Sequence, residues 1–208
     1  MRPHVGLVAG AAAAALVAAG AITYAVAEDR GPATAVPAAD SADAGFARDM
    51  AVHHQQAVEM SYLVRDRTKD EDVRRLAYDI AQTQANQRGM LLGWLDLWEL
   101  PKVSAEPPMT WMGMGGMPEA KDGALMPGMA TNSDLRKLRS LSGRQAEVFY
   151  LQLMTDHHKG GIHMAEGCVE RCTVGVEKRL AQGMVDAQQS EIALMADMLK
   201  ARGAAPRA

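Results

Sequence analysis

The sequence predicts an all-α protein, an antiparallel four-helix bundle built from two duplicated helical hairpins. Aromatic residues make up only 4% of the 208 residues, so Leu, Ala, Val and Met must fill the core, which suits packed helices better than a sheet. The motif M-x-x-H-H-x5-M occurs twice, starting at Met50 and at Met154. The same shift of 104 positions places residues 80–90 over 184–194. Two helices in each half, joined by a long crossover, indicate a bundle with a pseudo-two-fold axis.

An apolar segment at the start of the chain predicts export. Residues 5–27 are almost uncharged, follow Arg2 and end in Ala-Val-Ala, which is the pattern of a signal peptide over residues 1–27. Because about 20 apolar residues can span a bilayer, a retained signal-anchor is the alternative. Residues 28–43 predict a flexible linker. We expect an extracellular, periplasmic or cell-envelope protein, secreted or attached to a membrane only through this segment.

The helical bundle domain is predicted over residues 44–202, with its first hairpin over 44–100. Asp43 offers an N-cap for a helix that continues to about Arg67. Asp70 caps a second helix with apolar residues at three- and four-residue steps. This second helix must end before the proline that opens the crossover.

The crossover, residues 101–132, loses the helical pattern and is rich in Met, Gly and Pro. Met112, Met114 and Met117 lie on a Gly-rich backbone beside Trp111. In one interpretation these thioethers are auxiliary ligands that bind Cu(I), with the indole against the cation. In the other, adaptable methionines only dock the crossover onto the bundle.

The second hairpin is predicted over residues 133–202. A short helix precedes a long one, whose start is marked by a capping box at 142–145 and whose end is expected near Gly167. The last helix starts at about Val176. Between these two helices, Cys168 and Cys172 are expected to form a disulfide in an exported protein. A thiolate metal site is the alternative, although two cysteines fall short of the usual four ligands.

Each M-x-x-H-H-x5-M motif places two imidazoles and two thioethers on one face of a helix. At about 100° per residue, the His and Met side chains of one motif share an arc of roughly 120°. If the two faces meet, the ligands converge between helices, where bundles build metal sites. The predicted ligands are His53, His54, His157, His158, Met50, Met60, Met154 and Met164. His163 points away from this arc and is either a surface residue or an auxiliary ligand.

The alternative to a metal site is ordinary packing. Each methionine taken alone is more simply a core filler. Adjacent buried histidines are harder to explain in that way, because each imidazole needs a hydrogen-bond partner. Four polar residues on the partner helices are expected to orient the histidine rings rather than to bind metal; these are Gln84, Gln87, Gln188 and Glu191.

The ligand chemistry favours copper. Thioethers select Cu(I), and imidazole binds both Cu(I) and Cu(II). Zinc and iron are less expected, since zinc prefers cysteine, histidine and carboxylate and the Glu-x-x-His spacing of di-iron bundles is absent. The net charge of −3 and the lack of a basic stripe make nucleic acid an unexpected partner.

These motifs resemble the family catalogued as domain of unknown function 305. The resemblance covers about residues 44–202 and rests on Met126-Pro127-Gly128-Met129, both His-His motifs, and Gln188-x-x-Glu191-Ile192-x-x-Met195. It implies a ferritin-like helical bundle, commonly exported, with a periplasmic copper-binding copper-resistance protein among its relatives. Gln87 stands where the second half has Glu191, so the two halves need not bind metal equally.

The sequence therefore predicts an exported copper-binding protein, with Cu(I) favoured, that sequesters or buffers copper or confers resistance to it. Copper donor or acceptor proteins of the envelope are the expected partners, and oligomerisation is left open. The first alternative is a metal-dependent oxidase or peroxide-handling enzyme on the same bundle, although an enzyme is not favoured. The second is a non-catalytic envelope interaction module.

Overall fold

Five α-helices and one short 3₁₀ turn make up the described part of the chain. The computed structural model describes residues 36–115 and 121–207. The predicted signal or anchor segment, residues 28–35 of the linker and Met117 lie outside these ranges. Within the described ranges, no helix is long and apolar enough to cross a membrane.

The first hairpin consists of α1 (Ala42–Arg65) and α2 (Glu71–Leu97). Side chains cap both helices, Ser41 at the start of α1 and Asp70 at the start of α2. The predicted cap, Asp43, lies inside α1 instead. Its buried carboxylate accepts hydrogen bonds from two backbone N–H groups just before the last helix, so it caps a distant element rather than its own.

The second half contains α3 (Asn132–Ser140), α4 (Gly143–Arg171) and α5 (Gly175–Ala201). α4 and α5 pair along their length as α1 and α2 do, and α1 packs against α4. The predicted all-α, antiparallel four-helix bundle of two hairpins is confirmed, with α3 as a short addition that packs on α1 and α4.

Two details of the second half differ from the sequence prediction. The capping box forms at Thr131, before α3, and not at 142–145. Ser142 precedes α4 without capping it, because the chain enters this helix through Gly143 at a φ of +52°. α4 also continues one turn beyond Gly167. That glycine stays helical, and its missing side chain makes room for a methionine of the crossover.

The core divides into two apolar clusters along the bundle axis. Met60 and Met154 lie in one cluster, and Met50 and Met164 lie in the other. The early end of α1 therefore meets the late end of α4, as antiparallel packing requires. The histidine motifs occupy the zone between the two clusters.

Candidate metal centre

Four histidines form a buried layer between α1 and α4, near the middle of both helices. His53, His54, His157 and His158 are all 0% exposed. The rings of His53 and His157 face each other with their centroids 3.7 Å apart and a tilt of 34°. The ring centroids of His157 and His158 are 6.4 Å apart. The structure thus brings both His-His pairs into one seam of the core.

Hydrogen bonds fix the tautomer of three of these rings. His157 Nε2 donates to the His53 carbonyl oxygen at 3.0 Å, and His54 Nε2 donates to Gln87 Oε1 at 2.9 Å. His158 Nε2 donates to Glu191 Oε2 at 2.7 Å. Because carbonyl and carboxylate oxygens only accept, Nε2 carries the proton in each case. Nδ1 is therefore left with a bare lone pair.

The other ring nitrogens have no hydrogen-bond partner among the described residues. Nδ1 of all four histidines is buried and unpaired, and so is Nε2 of His53. Buried polar atoms are rarely left unsatisfied, and such a group points to an unseen water or ion. A neutral imidazole has only one nitrogen lone pair, so the layer offers at most one metal-binding nitrogen per histidine. The N–H groups of three of the rings are held by protein acceptors, as in known metal-binding histidines, and the Pro127 carbonyl is the backbone acceptor beside His53.

Burial keeps three of the imidazoles, those of His53, His54 and His157, in the neutral form that binds metal. Desolvation, with a smaller contribution from repulsion by charge on the neighbouring histidines, lowers the pKa of His53 and of His54 to about 3. For the same reasons, the pKa of His157 lies well below its ordinary value. A cation can bind here at neutral pH without first displacing protons from these rings.

The four predicted methionines flank the histidine layer and do not gather at one point within it. All four are fully buried, with one pair on each side of the layer. A helical wheel misses this separation, since seven residues advance a helix by about 10 Å along its axis. Thioethers are therefore available above and below the imidazoles.

The layer does not form a closed site of three imidazoles. Among the described residues, Cys168, Cys172 and Glu177 are the only group of His, Cys, Asp or Glu with three ligand atoms within 4.8 Å of one another. In this arrangement at most two imidazoles would bind one ion, and a further donor would have to come from a flanking thioether. Cu(I) accepts such low coordination by soft ligands.

A narrow polar cleft lies behind the layer, between α2 and α5. Gln84, Gln87, Gln188 and Glu191 line it, and its volume is about 10 Å³. Gln87 and Glu191 hold histidine rings, as the sequence suggested. Gln84 Oε1 and Gln188 Oε1 are buried without a hydrogen-bond partner, and the volume is about that of one water molecule.

The crossover covers the other side of the layer through two contacts. Gln56 exchanges a pair of hydrogen bonds with the backbone of Ala130, at 2.9 and 2.7 Å. On α4, the Pro127 carbonyl lies so close to Gly160 that a Cβ there would overlap it. Gly128, at a φ of +79°, packs directly against the same turn of α4. The sequence analysis did not predict these contacts, although Gln56 and Gly160 stand 104 positions apart, in equivalent places.

Trp111 does not lie over a histidine. Its ring packs edge-on against Phe46, with the centroids 5.9 Å apart, and its Nε1 donates to Asp49 at 2.9 Å. The same carboxylate oxygen accepts from the backbone of Met109 at 2.7 Å. These contacts favour the docking interpretation for this part of the crossover, and Asp49 is an anchor that the sequence analysis missed.

Of the auxiliary ligands, His163, Met112 and Met114 belong to the part of the chain that the structure describes, and they lie along the later half of α4. His163 is exposed, and its Nε2 is 3.5 Å from the sulfur of Met114. Met112 packs against Gly167, one turn further along the helix. The structure thus brings His163 and Met114 together at the surface.

The two cysteines are joined as a disulfide, Cys168–Cys172, with the Cα atoms 4.8 Å apart. Cys168 lies in the last turn of α4 and Cys172 follows it as the C-cap. Both are buried in the cluster that also contains Met50 and Met164.

The fold and the layer define a helical bundle protein with a histidine-lined core. The chain belongs to the family described as Domain of unknown function (DUF305), whose model matches residues 43–199. A comparison with curated proteins finds no match.

Solved structures of the family share this fold. A candidate secreted protein DUF305 from Streptomyces coelicolor is 74% identical, matches 82% of this chain and 99% of its own, and superimposes with a TM-score of 0.77. A DUF305 fragment from Deinococcus radiodurans is 27% identical over 76% of this chain and 94% of its own, with a TM-score of 0.62. CopM in the Cu(I)-bound form is 17% identical over 76% of this chain and 95% of its own, with a TM-score of 0.58.

Proposed function

We propose that this is an exported copper-binding protein whose buried histidine layer holds Cu(I) for sequestration, buffering or resistance. The observation that carries the proposal is the set of bare Nδ1 atoms on four fully buried histidines. Three of these rings are held at Nε2 by a protein oxygen. An ordinary core would not leave a nitrogen of each of four rings unsatisfied, because each costs about 1–3 kcal/mol.

The flanking groups support copper over other metals. Paired methionines lie on both sides of the layer, and thioethers are soft donors that favour Cu(I). Zinc would call for more cysteine, histidine or carboxylate donors than the layer offers. Glu191 is engaged with His158, so it orients a ligand rather than serving as one.

Two relatives add support. CopM has been described in a Cu(I)-bound form, and the Streptomyces coelicolor relative is described as a candidate for secretion. Together with the predicted signal segment, they favour a role for this chain outside the cytoplasm, with envelope copper donors or acceptors as its partners.

Anaerobic titration of Cu(I) against a chromophoric chelator tests the proposal. The matched samples are wild type, the quadruple variant H53A/H54A/H157A/H158A and the surface variant His163→Ala. We expect the quadruple variant to lose more than about 100-fold in affinity, since removing even one partner of a ligand costs 10–100-fold. The surface variant should bind nearly as wild type does.

A control separates loss of ligands from loss of the fold. The single substitutions His54→Gln and His158→Gln keep side-chain volume and hydrogen bonding in the layer, and circular dichroism checks that each variant is helical. X-ray absorption of the copper-loaded wild type should show both nitrogen and sulfur neighbours. Equal Cu(I) affinity of a folded quadruple variant and wild type would reject the proposal.

A further inference from the structure

A second cluster of ligand atoms lies at the end of α4, apart from the histidine layer. Sγ of Cys168, Sγ of Cys172 and a carboxylate oxygen of Glu177 lie within 4.8 Å of one another. All three residues are buried, with exposures of 0%, 3% and 0%. The helical turn between the cysteines and the first turn of α5 bring them together.

Glu177 is the unexplained member of this cluster. Both of its carboxyl oxygens are buried and find no hydrogen-bond donor among the described residues. Its neighbour is Asp43, another acid, with which a protonated Glu177 can share a hydrogen bond, although the Asp43 oxygens already accept hydrogen bonds from Thr173 and Val174. Burying a carboxyl group in this way is unfavourable unless something binds it.

We propose that the reduced protein holds a divalent borderline cation such as Zn²⁺ between Cys168, Cys172 and Glu177. A dithiol reductant first breaks the S–S bond. The disulfide gains two electrons and two protons and becomes two thiols, while the reductant becomes its own disulfide. The cation then displaces one proton from each thiol and one from the buried Glu177 carboxyl group, and it is bound by two thiolates and one carboxylate.

The ligand chemistry fits such an ion. Zn²⁺ is bound by cysteine sulfur and by carboxylate oxygen, and three protein ligands are sufficient when a fourth position is left open. While the disulfide is intact, its sulfurs carry no charge and bind metal poorly. The site is therefore available only after reduction, so metal binding here depends on the redox state of the compartment.

Cobalt is a suitable probe because thiolate bound to Co²⁺ absorbs in the near-ultraviolet. The full chain is reduced anaerobically with a phosphine, freed of reductant and titrated with Co²⁺. We expect one equivalent of Co²⁺ to produce the thiolate-to-cobalt band in reduced protein and none in oxidised protein. The double variant C168S/C172S should lack the band, and Zn²⁺ should displace the cobalt.

The variant Glu177→Gln tests whether Glu177 is a metal ligand or only a buried acid that shares a proton with Asp43. We expect Glu177→Gln to weaken Co²⁺ binding more than about tenfold, because even the loss of a residue that only positions a metal ligand lowers metal affinity by that factor. The control Glu170→Gln changes an exposed carboxylate near the same cysteines and should bind as wild type does. The amide can still donate to Asp43, so the variant should fold.

No thiolate band in the reduced protein would overturn the proposal. Equal Co²⁺ affinity of Glu177→Gln and wild type would also overturn it, leaving proton sharing with Asp43 as the reason for the buried acid. Neither outcome bears on the copper proposal, because the histidine layer contains no thiol and the probe reports on thiolate alone.

Discussion

The two halves of the histidine layer differ in what holds the outer ring. In the first half, His54 donates to the neutral amide of Gln87 at 2.9 Å. In the second, His158 donates to the carboxylate of Glu191 at 2.7 Å. A carboxylate behind an imidazole raises the basicity of the ligand nitrogen more than an amide does. The same fold therefore offers one stronger and one weaker nitrogen donor.

The crossover also treats the two halves differently. On α1, the side chain of Gln56 forms hydrogen bonds with the crossover. On α4, Gly160 stands in the equivalent place and has no side chain, so the crossover backbone packs directly against the helix. One half gains polar contacts, and the other lets the Pro127 carbonyl approach the helix backbone. Residues 56 and 160, which stand 104 positions apart, thus hold the crossover in different ways around the same buried layer.

The largest expected effect comes from His53, His54 and His157, the imidazoles that burial keeps neutral. Burial lowers the pKa of His53 and His54 from 6.5 to about 3, so the unfolded chain takes up protons first. The free energy of unfolding of metal-free protein should be highest above pH 6.5 and should fall as the pH drops toward 3. Each histidine contributes up to about 1.4 kcal/mol per pH unit.

His54→Gln isolates one of these contributions. Denaturant unfolding between pH 8 and pH 5 should give this variant a shallower slope than wild type, by up to about 1.4 kcal/mol per pH unit. The slope is the informative quantity, because the substitution also changes the stability at pH 8. Identical slopes would show that His54 is not held neutral by burial.

Exchanging the two ring partners tests the asymmetry directly. Glu191→Gln makes the second half a copy of the first, and we expect Cu(I) affinity to fall roughly 10–100-fold. Gln87→Glu makes the first half a copy of the second and should leave affinity unchanged or raise it. Competition titration of both variants measures the difference. Unchanged affinity in both variants would contradict the asymmetry and would mean that the partners serve only to fill space.

The sequence predicted the histidine seam because a shift of 104 positions aligns ligand types as well as apolar ones. It also predicted that Gln87 and Glu191 orient rings, since they stand in equivalent places on the partner helices. It did not predict that the methionines are separated along the bundle axis, one pair on each side of the histidine layer, because the angular position of a residue around a helix ignores distance along the axis. Nor did it predict how the crossover docks, since contacts such as Gln56 with Ala130 join segments that share no periodic pattern.

The crossover contact on α4 should be sensitive to a single methyl group. Gly160→Ala would place a Cβ against the Pro127 carbonyl, so the backbone must move, and we expect a loss of roughly 1–3 kcal/mol in the free energy of unfolding. Gly183→Ala is the matched control on α5. This glycine is exposed, and a Cβ there meets nothing within 4 Å. The control should gain about 0.5–1 kcal/mol from helix propensity.

The smallest effect is expected outside the layer, at His163. The side chain is exposed beside Met114. The residue 104 positions earlier is Glu59, so the first half has no histidine that matches His163. A surface ligand pair pays the entropy of ordering and competes with water. We expect His163→Ala to lower the equilibrium Cu(I) affinity less than about threefold, under 1 kcal/mol. If copper binds first at the surface, the same substitution should slow the loading of the buried layer. Stopped-flow transfer from the chelator measures the rate beside the affinity. A loss in affinity as large as that of Glu191→Gln would move the centre of the site from the buried seam to the outer face of α4.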